Sequence, residues 1–204
     1  MDCLEIEVKF FLQDLQPVKK HLTRLGAENS GRFFETNIRF EDRQNSLIKK
    51  NALLRLRKDN RVSLTYKSSP DDSDENFKVY NELEVEVSDF KTMESILNSL
   101  GFYTAQVYEK WRETLVLENT HFCLDTMPFG NFLEIEGSRD NIKKMARQLR
   151  LDWNERILVN YLKMFETIKA REKFSFSDVT FENFRQITVD FYRYLPVFTQ
   201  KGNS

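Results

Sequence analysis

The sequence predicts an α+β protein: an eight-stranded antiparallel β-barrel whose lumen is polar and charged, with helices packed outside. Three observations carry that expectation. Apolar and charged residues alternate with period two in the extended segments, which gives each strand one apolar and one charged face. The charged faces are segregated by sign, acidic on some strands and basic on others, whereas an ordinary wet face mixes its charges with Ser, Thr and Gln. Apolar stripes at helical spacing follow several strands, so the apolar strand faces have partners outside the sheet. About eight strands against four helices, with no clear parallel crossover, favour ring closure over a doubly wound sheet.

The first strand is Leu4-Glu5-Ile6-Glu7-Val8-Lys9-Phe10. Asp14 is the expected N-cap of a helix with Leu15, Val18, Leu22 and Leu25 on one side, stopped by Gly26. Strands follow over 32–40, 53–58 and 62–67. The acidic stretch 68–75, which contains Pro70, reads as a hairpin loop. Leu83-Glu84-Val85-Glu86-Val87 is a strand, and Asp89 caps a helix with Met93, Ile96, Leu97 and Leu100 as its apolar stripe and Gly101 as its end. Strands over 107–117 and 122–126 precede Leu133-Glu134-Ile135-Glu136-Gly137, and a helix over 141–150 carries Ile142, Met145 and Leu149. Leu-Glu-(Ile/Val)-Glu therefore occurs three times, each ahead of a helix, at intervals too unequal for a solenoid. A final helix is expected over 155–171. Residues 1–170 form the main domain, and 171–204 an extension rich in aromatics: Phe174, Phe176, Phe181, Phe184, Phe191, Tyr192, Tyr194 and Phe198. Its expected role is packing on the main domain or on a second copy of the chain, so a homodimer is among the partners the sequence allows. The last few residues are expected to lack fixed structure.

Composition narrows the function. With 204 residues and 40% hydrophobic content the chain can bury a core. It is 31% charged, yet its formal net charge is −1, without the basic excess of a protein that grips nucleic-acid phosphates. No apolar run is long enough to span a bilayer, and the acidic start lacks the apolar core of a secretory signal, so the expectation is a cytoplasmic protein away from membranes. Cys3 and Cys123 are expected to be reduced structural thiols. His21 and His121 are isolated, so any metal would rest on carboxylates.

Those carboxylates, like the cations, fall two apart along the strands. Glu5, Glu7 and Lys9 lie on one face; so do Arg55 and Arg57, Thr65 and Lys67, Glu82, Glu84 and Glu86, Lys110 and Arg112, and Glu134 and Glu136, with Asp125 just upstream. On any one strand this would be a solvated surface. Folded into a ring, the faces converge. Lys9, Arg55, Arg57, Lys67, Lys110 and Arg112 would then hold a polyanion with several phosphates, the arginines forking onto its oxygens. Glu5, Glu7, Glu134 and Glu136, with Asp125 and Glu84, would hold Mg2+ or Mn2+, which take hard oxygen ligands. A metal-bound water, or Lys9 if neighbouring cations depress its pKa, is the candidate general base.

The pattern resembles the CYTH superfamily of triphosphate tunnel metalloenzymes. The residues that carry the resemblance are Glu5-Ile6-Glu7-Val8-Lys9, Leu54-Arg55-Leu56-Arg57, Leu64-Thr65-Tyr66-Lys67, Lys110-Trp111-Arg112, Leu124-Asp125 and Phe132-Leu133-Glu134-Ile135-Glu136, in that order over about residues 3 to 169. The segment 123–137 and Asn160-Tyr161-Leu162 are most similar to bacterial class IV adenylate cyclases. The resemblance implies an eight-stranded tunnel open at both ends, a triphosphate on the arginines and lysines, and one or two divalent ions on the glutamates. It implies a metal-dependent triphosphatase acting on tripolyphosphate, a nucleoside triphosphate or thiamine triphosphate. The alternatives are a class IV adenylate cyclase and, ranked last, a non-catalytic polyanion sensor.

Overall fold

Ring closure is complete in the computed structural model of the chain, which describes residues 4–70 and 74–199. Cys3, part of the acidic hairpin loop and the end of the tail lie outside the described residues. The strands are β1 (Leu4–Phe11), β2 (Glu28–Asp42), β3 (Ala52–Lys58), β4 (Val62–Ser68), β5 (Lys78–Glu86), β6 (Phe102–Leu117), β7 (Thr120–Met127) and β8 (Gly130–Glu136). Around the ring they run β1-β5-β4-β3-β2-β6-β7-β8 and close from β8 onto β1, every neighbour antiparallel. The helices are α1 (Gln16–Arg24), α2 (Ser46–Lys49), α3 (Phe90–Ser99), α4 (Arg139–Gln148), α5 (Tyr161–Glu172) and α6 (Leu195–Phe198). None of the described helices is long and apolar enough to cross a membrane.

The long strands do the curling. β2 and β6 have 15 and 16 residues and pair along most of their length, with register shifts between Asn29 and Arg32 and between Arg39 and Phe40. Each irregularity adds local twist and bend, which a sheet needs in order to close.

The apolar strand faces meet the helices. Val8, Phe10, Leu115, Phe122, Leu124, Leu133 and Ile135 pack against Val18 and Leu22 of α1 and Ile142 and Met145 of α4. Ile38, Phe40, Leu54 and Leu56 pack with Leu47 and Leu97. Burial of each such side chain contributes about 1.5–3 kcal/mol, so the outer shell, not the lumen, supplies the hydrophobic driving force. On β5 the pattern differs: Leu83 and Val85 are 62% and 56% exposed, since no helix covers that strand. The predicted stripe on α3 also splits, with Leu97 buried and Met93 packed beside it while Ile96 and Leu100 face solvent.

Helix ends follow local chemistry with small displacements. Asp14 does not cap α1 directly; its carboxylate takes the Gln16 N–H and Leu15 is the boundary residue, with Pro17 in the first turn. Gly26 and Gly101 take φ of +89° and +93° where α1 and α3 stop. Asp89, Ser138 and Asn160 are side-chain caps. The helix expected over 155–171 is shorter than predicted: a single turn spans Trp153–Glu155, Ile157 pairs in extended form with Lys9 and with Thr199, and α5 begins at Tyr161. Propensity favours a longer helix, but the backbone bonds that Ile157 exchanges with Lys9 hold this stretch extended.

The aromatic tail packs on the barrel. Val179 pairs with Tyr108, its neighbour Asp178 accepts the Val107 N–H, and Phe184, Phe191, Tyr194 and Phe198 join Phe129, Phe132, Tyr161 and Phe165 in one buried cluster. This bears on the expectation of a tunnel open at both ends. Following the period of β1, β7 and β8, the residues after Lys9, Asp125 and before Glu134 on the lumen face are Phe11, Met127 and Phe132, and these belong to the aromatic cluster. On that side the barrel end is covered by α5 and the tail. The cavity instead reaches exposed residues beside α2 and α5, at Ile48, Asn51, Lys163 and Glu166.

Candidate active site

Strand order decides what each charged residue faces. The three Leu-Glu-x-Glu segments, far apart in sequence, are neighbours as β5, β1 and β8. β2 and β3 stand four strands away from β1 and β8 respectively, the largest separation an eight-stranded ring allows. Carboxylates of β1 and β8 therefore look across the lumen at arginines of β2 and β3. The cavity between them is about 680 Å3, and its lining includes Glu5, Glu7, Lys9, Arg55, Arg57, Lys67, Glu84, Lys110, Arg112, Glu134 and Glu136. Asp125 is fully buried behind this wall.

On one side of the lumen the charges neutralise one another. Asp125 accepts from Lys110 Nζ at 2.9 Å, from Arg112 Nε at 2.7 Å and Nη2 at 2.6 Å, and from the Tyr161 hydroxyl at 2.9 Å. Arg112 also pairs with Glu134. Lys9 Nζ lies 2.7 Å from Glu134 and 3.5 Å from Glu7, with the Tyr161 ring 4.6 Å below it. Lys78 reaches Glu7 at 2.6 Å, and Lys67 pairs with Glu5 and Glu82. These contacts bear on two sequence expectations. Burial alone would lower the pKa of Lys9, but Glu134 and Glu7 overcome it and hold the ammonium above its usual range. Its ion-pair partners are the carboxylates Glu134 and Glu7, so the cation neighbours that would make Lys9 a base are not what it meets here. Asp125 and Glu84 are both ion-paired: Asp125 with Lys110 and Arg112, and Glu84 with Arg57, whose Nη2 donates to both its oxygens at 3.2 Å, while the Thr65 hydroxyl donates to it at 2.8 Å.

The metal question narrows to a smaller set. Glu5, Glu7 and Glu136 each place a carboxylate oxygen within 4.8 Å of the other two, and Cys123, Glu134 and Glu136 form a second such group. The all-oxygen set suits Mg2+ or Mn2+. Its electrostatics suit a divalent cation. Burial and then repulsion from Glu134, Glu5 and Glu7 push Glu136 up to about 7 against the pull of Arg112. Burial and Glu7 raise Glu5 against Lys67. Glu7 itself is held down to about 2, because Lys78 and Lys9 outweigh its burial. Glu134 is also held low by Lys9 and Arg112 despite burial, so it is the ion-paired member of its group. Cys123, a free buried thiol, faces the lumen and donates toward Glu136 at 3.7 Å.

Several lining residues were not singled out from sequence. Glu35, Asn37 and Arg39 alternate along β2, so their signal was present in the strand read over 32–40, but one polar residue of each kind does not stand out as a pair of like charges does. Tyr80 and Lys78 precede the strand as predicted. Tyr108 also lines the cavity, and Tyr161, named in sequence only for its resemblance, lines it beside Lys9.

Glu35 gives a pH prediction. It is 2% exposed; burial raises its pKa, but Lys110 and Arg112 pull it down to about 2. A carboxyl whose folded pKa lies below its unfolded value stabilises the fold above pH 4.5, and that contribution is lost as pH falls from 4.5 toward 2. Glu35→Gln should thus lower stability at pH 7 and flatten the fall in unfolding midpoint between pH 4.5 and 2, measured by urea titration at each pH. A variant curve parallel to the wild type across that window would show that Glu35 does not carry the acid response.

Comparison with known proteins agrees with this geometry. The CYTH domain family model matches residues 4–161. A Methanocaldococcus jannaschii protein named "Putative adenylate cyclase MJ0240" is 28% identical over 148 residues, covering 72% of this chain and 83% of that one. The PH1012 protein of Pyrococcus horikoshii OT3 superposes with a TM-score of 0.66 at 30% identity, covering 78% of this chain and 98% of that one. An X-ray structure from Vibrio parahaemolyticus superposes with a TM-score of 0.73 at 17% identity, covering 81% and 99%, a likeness of fold. Residues 162–204, including the aromatic tail, lie beyond the family match.

Proposed function

This chain belongs to the CYTH domain family, and from that premise we propose that it is a divalent-metal-dependent enzyme acting on a triphosphate-bearing small molecule, by hydrolysis of the phosphate chain. One observation carries the reading: a carboxylate group at Glu5, Glu7 and Glu136 stands across a closed, charged lumen from Arg55 and Arg57. Phosphoryl transfer asks a protein for positioning and charge neutralisation more than for covalent chemistry, and this lumen offers both. Glu5, Glu7 and Glu136 would hold Mg2+ or Mn2+, which when bound supplies Lewis acidity and an activated water. Arg55, Arg57 and Lys67 hold phosphate oxygens. Lys9, Lys110 and Arg112 fix the carboxylates and set the positive field of the opposite side. Burial of these groups strengthens each interaction relative to the same pair in bulk water. The phosphate-holding cations point into the lumen, so the partner is a small molecule rather than a nucleic acid.

A second reading is cyclisation of ATP to cyclic AMP and pyrophosphate. Two observations favour it: the name of the M. jannaschii relative, and the extension of the cavity past the charged lumen to Ile48, Asn51 and Leu162, where an organic moiety has room. One assay separates the readings. Purified protein with Mg2+ or Mn2+ is given tripolyphosphate, ATP or thiamine triphosphate. Orthophosphate release is the expected result. Cyclic AMP with pyrophosphate from ATP would replace hydrolysis by the second reading, and no turnover of any of the three would leave a polyanion-binding protein instead of an enzyme.

A further inference from the structure

Unsatisfied polar groups are not spread evenly through this molecule. The buried side-chain atoms without a hydrogen-bond partner, among the described residues, are Asn37 Oδ1, Arg39 Nε, Arg55 Nε, Arg57 Nε and Ser63 Oγ. All five belong to β2, β3 and β4, three consecutive strands of the ring. The side formed by β1, β6, β7 and β8 has its cations engaged by carboxylates. Buried polar atoms are rarely left unpaired in a native protein, and where they are the usual reason is a missing ligand, ion or water.

Arg39 is the sharpest case. Every other cation lining the cavity has a carboxylate within 4.0 Å: Lys9, Arg55, Arg57, Lys67, Lys78, Lys110, Arg112 and Lys163. Among the described residues the Arg39 side chain has no carboxylate within that distance, and its Nε is without a hydrogen-bond partner. It also sits directly opposite Arg55 in the β2–β3 register, both side chains lining the cavity. Like charges directly opposed across strands are destabilising, and an uncompensated guanidinium with a buried nitrogen is costly. An anion between the two forks removes both penalties at once.

We propose that Arg39 and Arg55 form a two-guanidinium clamp on one phosphate group of the substrate, with Arg39 a specificity residue for the polyphosphate chain. The inference rests on the triphosphate reading above and adds to it the wall on which the chain lies. Each planar fork can bind phosphate oxygens bidentately, which lysine cannot do. The clamp lies across the ring from the Glu5, Glu7 and Glu136 group, so the phosphate chain would bridge the two poles of the lumen.

The test uses the full-length protein and tripolyphosphate as probe, first with EDTA and then with Mg2+. Affinity is read by calorimetric titration, and the rise in melting temperature by circular dichroism. Arg39→Gln should weaken binding at least tenfold and abolish most of the ligand-induced rise. Without ligand its melting temperature should equal or exceed that of the wild type, because an unpaired charge has been removed; a residue with a merely structural role would lower it. Arg39→Lys should fall between the two, and it carries the test if Arg39→Gln does not fold. Arg61→Gln, which removes the same charge outside the lumen, should bind as the wild type does. Wild-type binding with an unchanged Arg39→Gln would overturn the clamp alone and leave water as the partner of Arg39. No binding by the wild type in either condition would overturn the triphosphate reading and the clamp with it.

Discussion

Asp125→Ala is expected to destabilise the protein by roughly 3–5 kcal/mol, the usual cost of removing one partner from a buried ionic network. The carboxylate is fully buried and accepts from Lys110, Arg112 and Tyr161, so its loss strands two cations and a phenol in a site of low dielectric. Burial holds the Tyr161 proton on, with Asp125 and Glu134 adding to the effect, so this hydroxyl remains a donor and needs an acceptor. Urea unfolding at pH 7 measures the loss. A small domain of this size has a total stability of about 5–15 kcal/mol, so the change is a large share of it. A loss below about 1 kcal/mol would mean that Glu35 and Glu134 absorb both cations and that Asp125 is not the anchor of this wall. The same experiment bears on role: a carboxylate saturated by protein donors holds the lumen's shape, whereas a metal ligand must have an oxygen to spare.

The second large effect is expected at the other pole. Glu5→Gln combined with Glu136→Gln should reduce Mg2+-dependent turnover by at least about a hundredfold, because changes in a metal's outer shell alone typically cost ten- to a hundredfold and these residues would touch it directly. Stability without ligand should be unchanged or higher. Without metal the three carboxylates repel one another, and repulsion from its neighbours adds to burial in raising Glu136 to about 7. The stabilisation that Mg2+ gives the wild type should disappear, since a ligand stabilises only through the state that binds it. A double variant that keeps both the Mg2+-induced rise in melting temperature and the turnover would remove these residues from the metal site. Opposite signs for activity and unliganded stability distinguish a binding group from a packing group.

Much of this site could be read in advance because charge and period are local properties. Glu5-x-Glu7-x-Lys9 and Arg55-x-Arg57 state their shared face without reference to any other strand, since side chains two apart along a strand point the same way. The strands, their apolar backs, and the caps at Asp89 and Gly101 follow from the same reasoning. Errors arose where a distant segment outweighed local preference. The stretch 156–160 reads as helix but is drawn out by its pairing with Lys9. Ile96 and Leu100 match a helical stripe, yet of that stripe only Leu97 and Met93 pack against the barrel. Leu83 and Val85 have the alternation of a buried strand and no helix above them.

Roles within the lumen were harder to foresee than membership of it. By itself the sequence determined the strands, the side of each strand that carries charge, and the family those residues mark. Tertiary structure alone decided which charges meet: that β5, β1 and β8 stand together, that Asp125 and Glu134 are consumed by Lys110, Arg112 and Lys9, and that Arg39 faces Arg55 with no carboxylate of its own among the described residues. The physical reason is range. Periodicity acts over two to four residues and is written in the chain, whereas a pKa or an ion pair depends on the nearest charge across the ring, and strand order, not sequence distance, sets that neighbour.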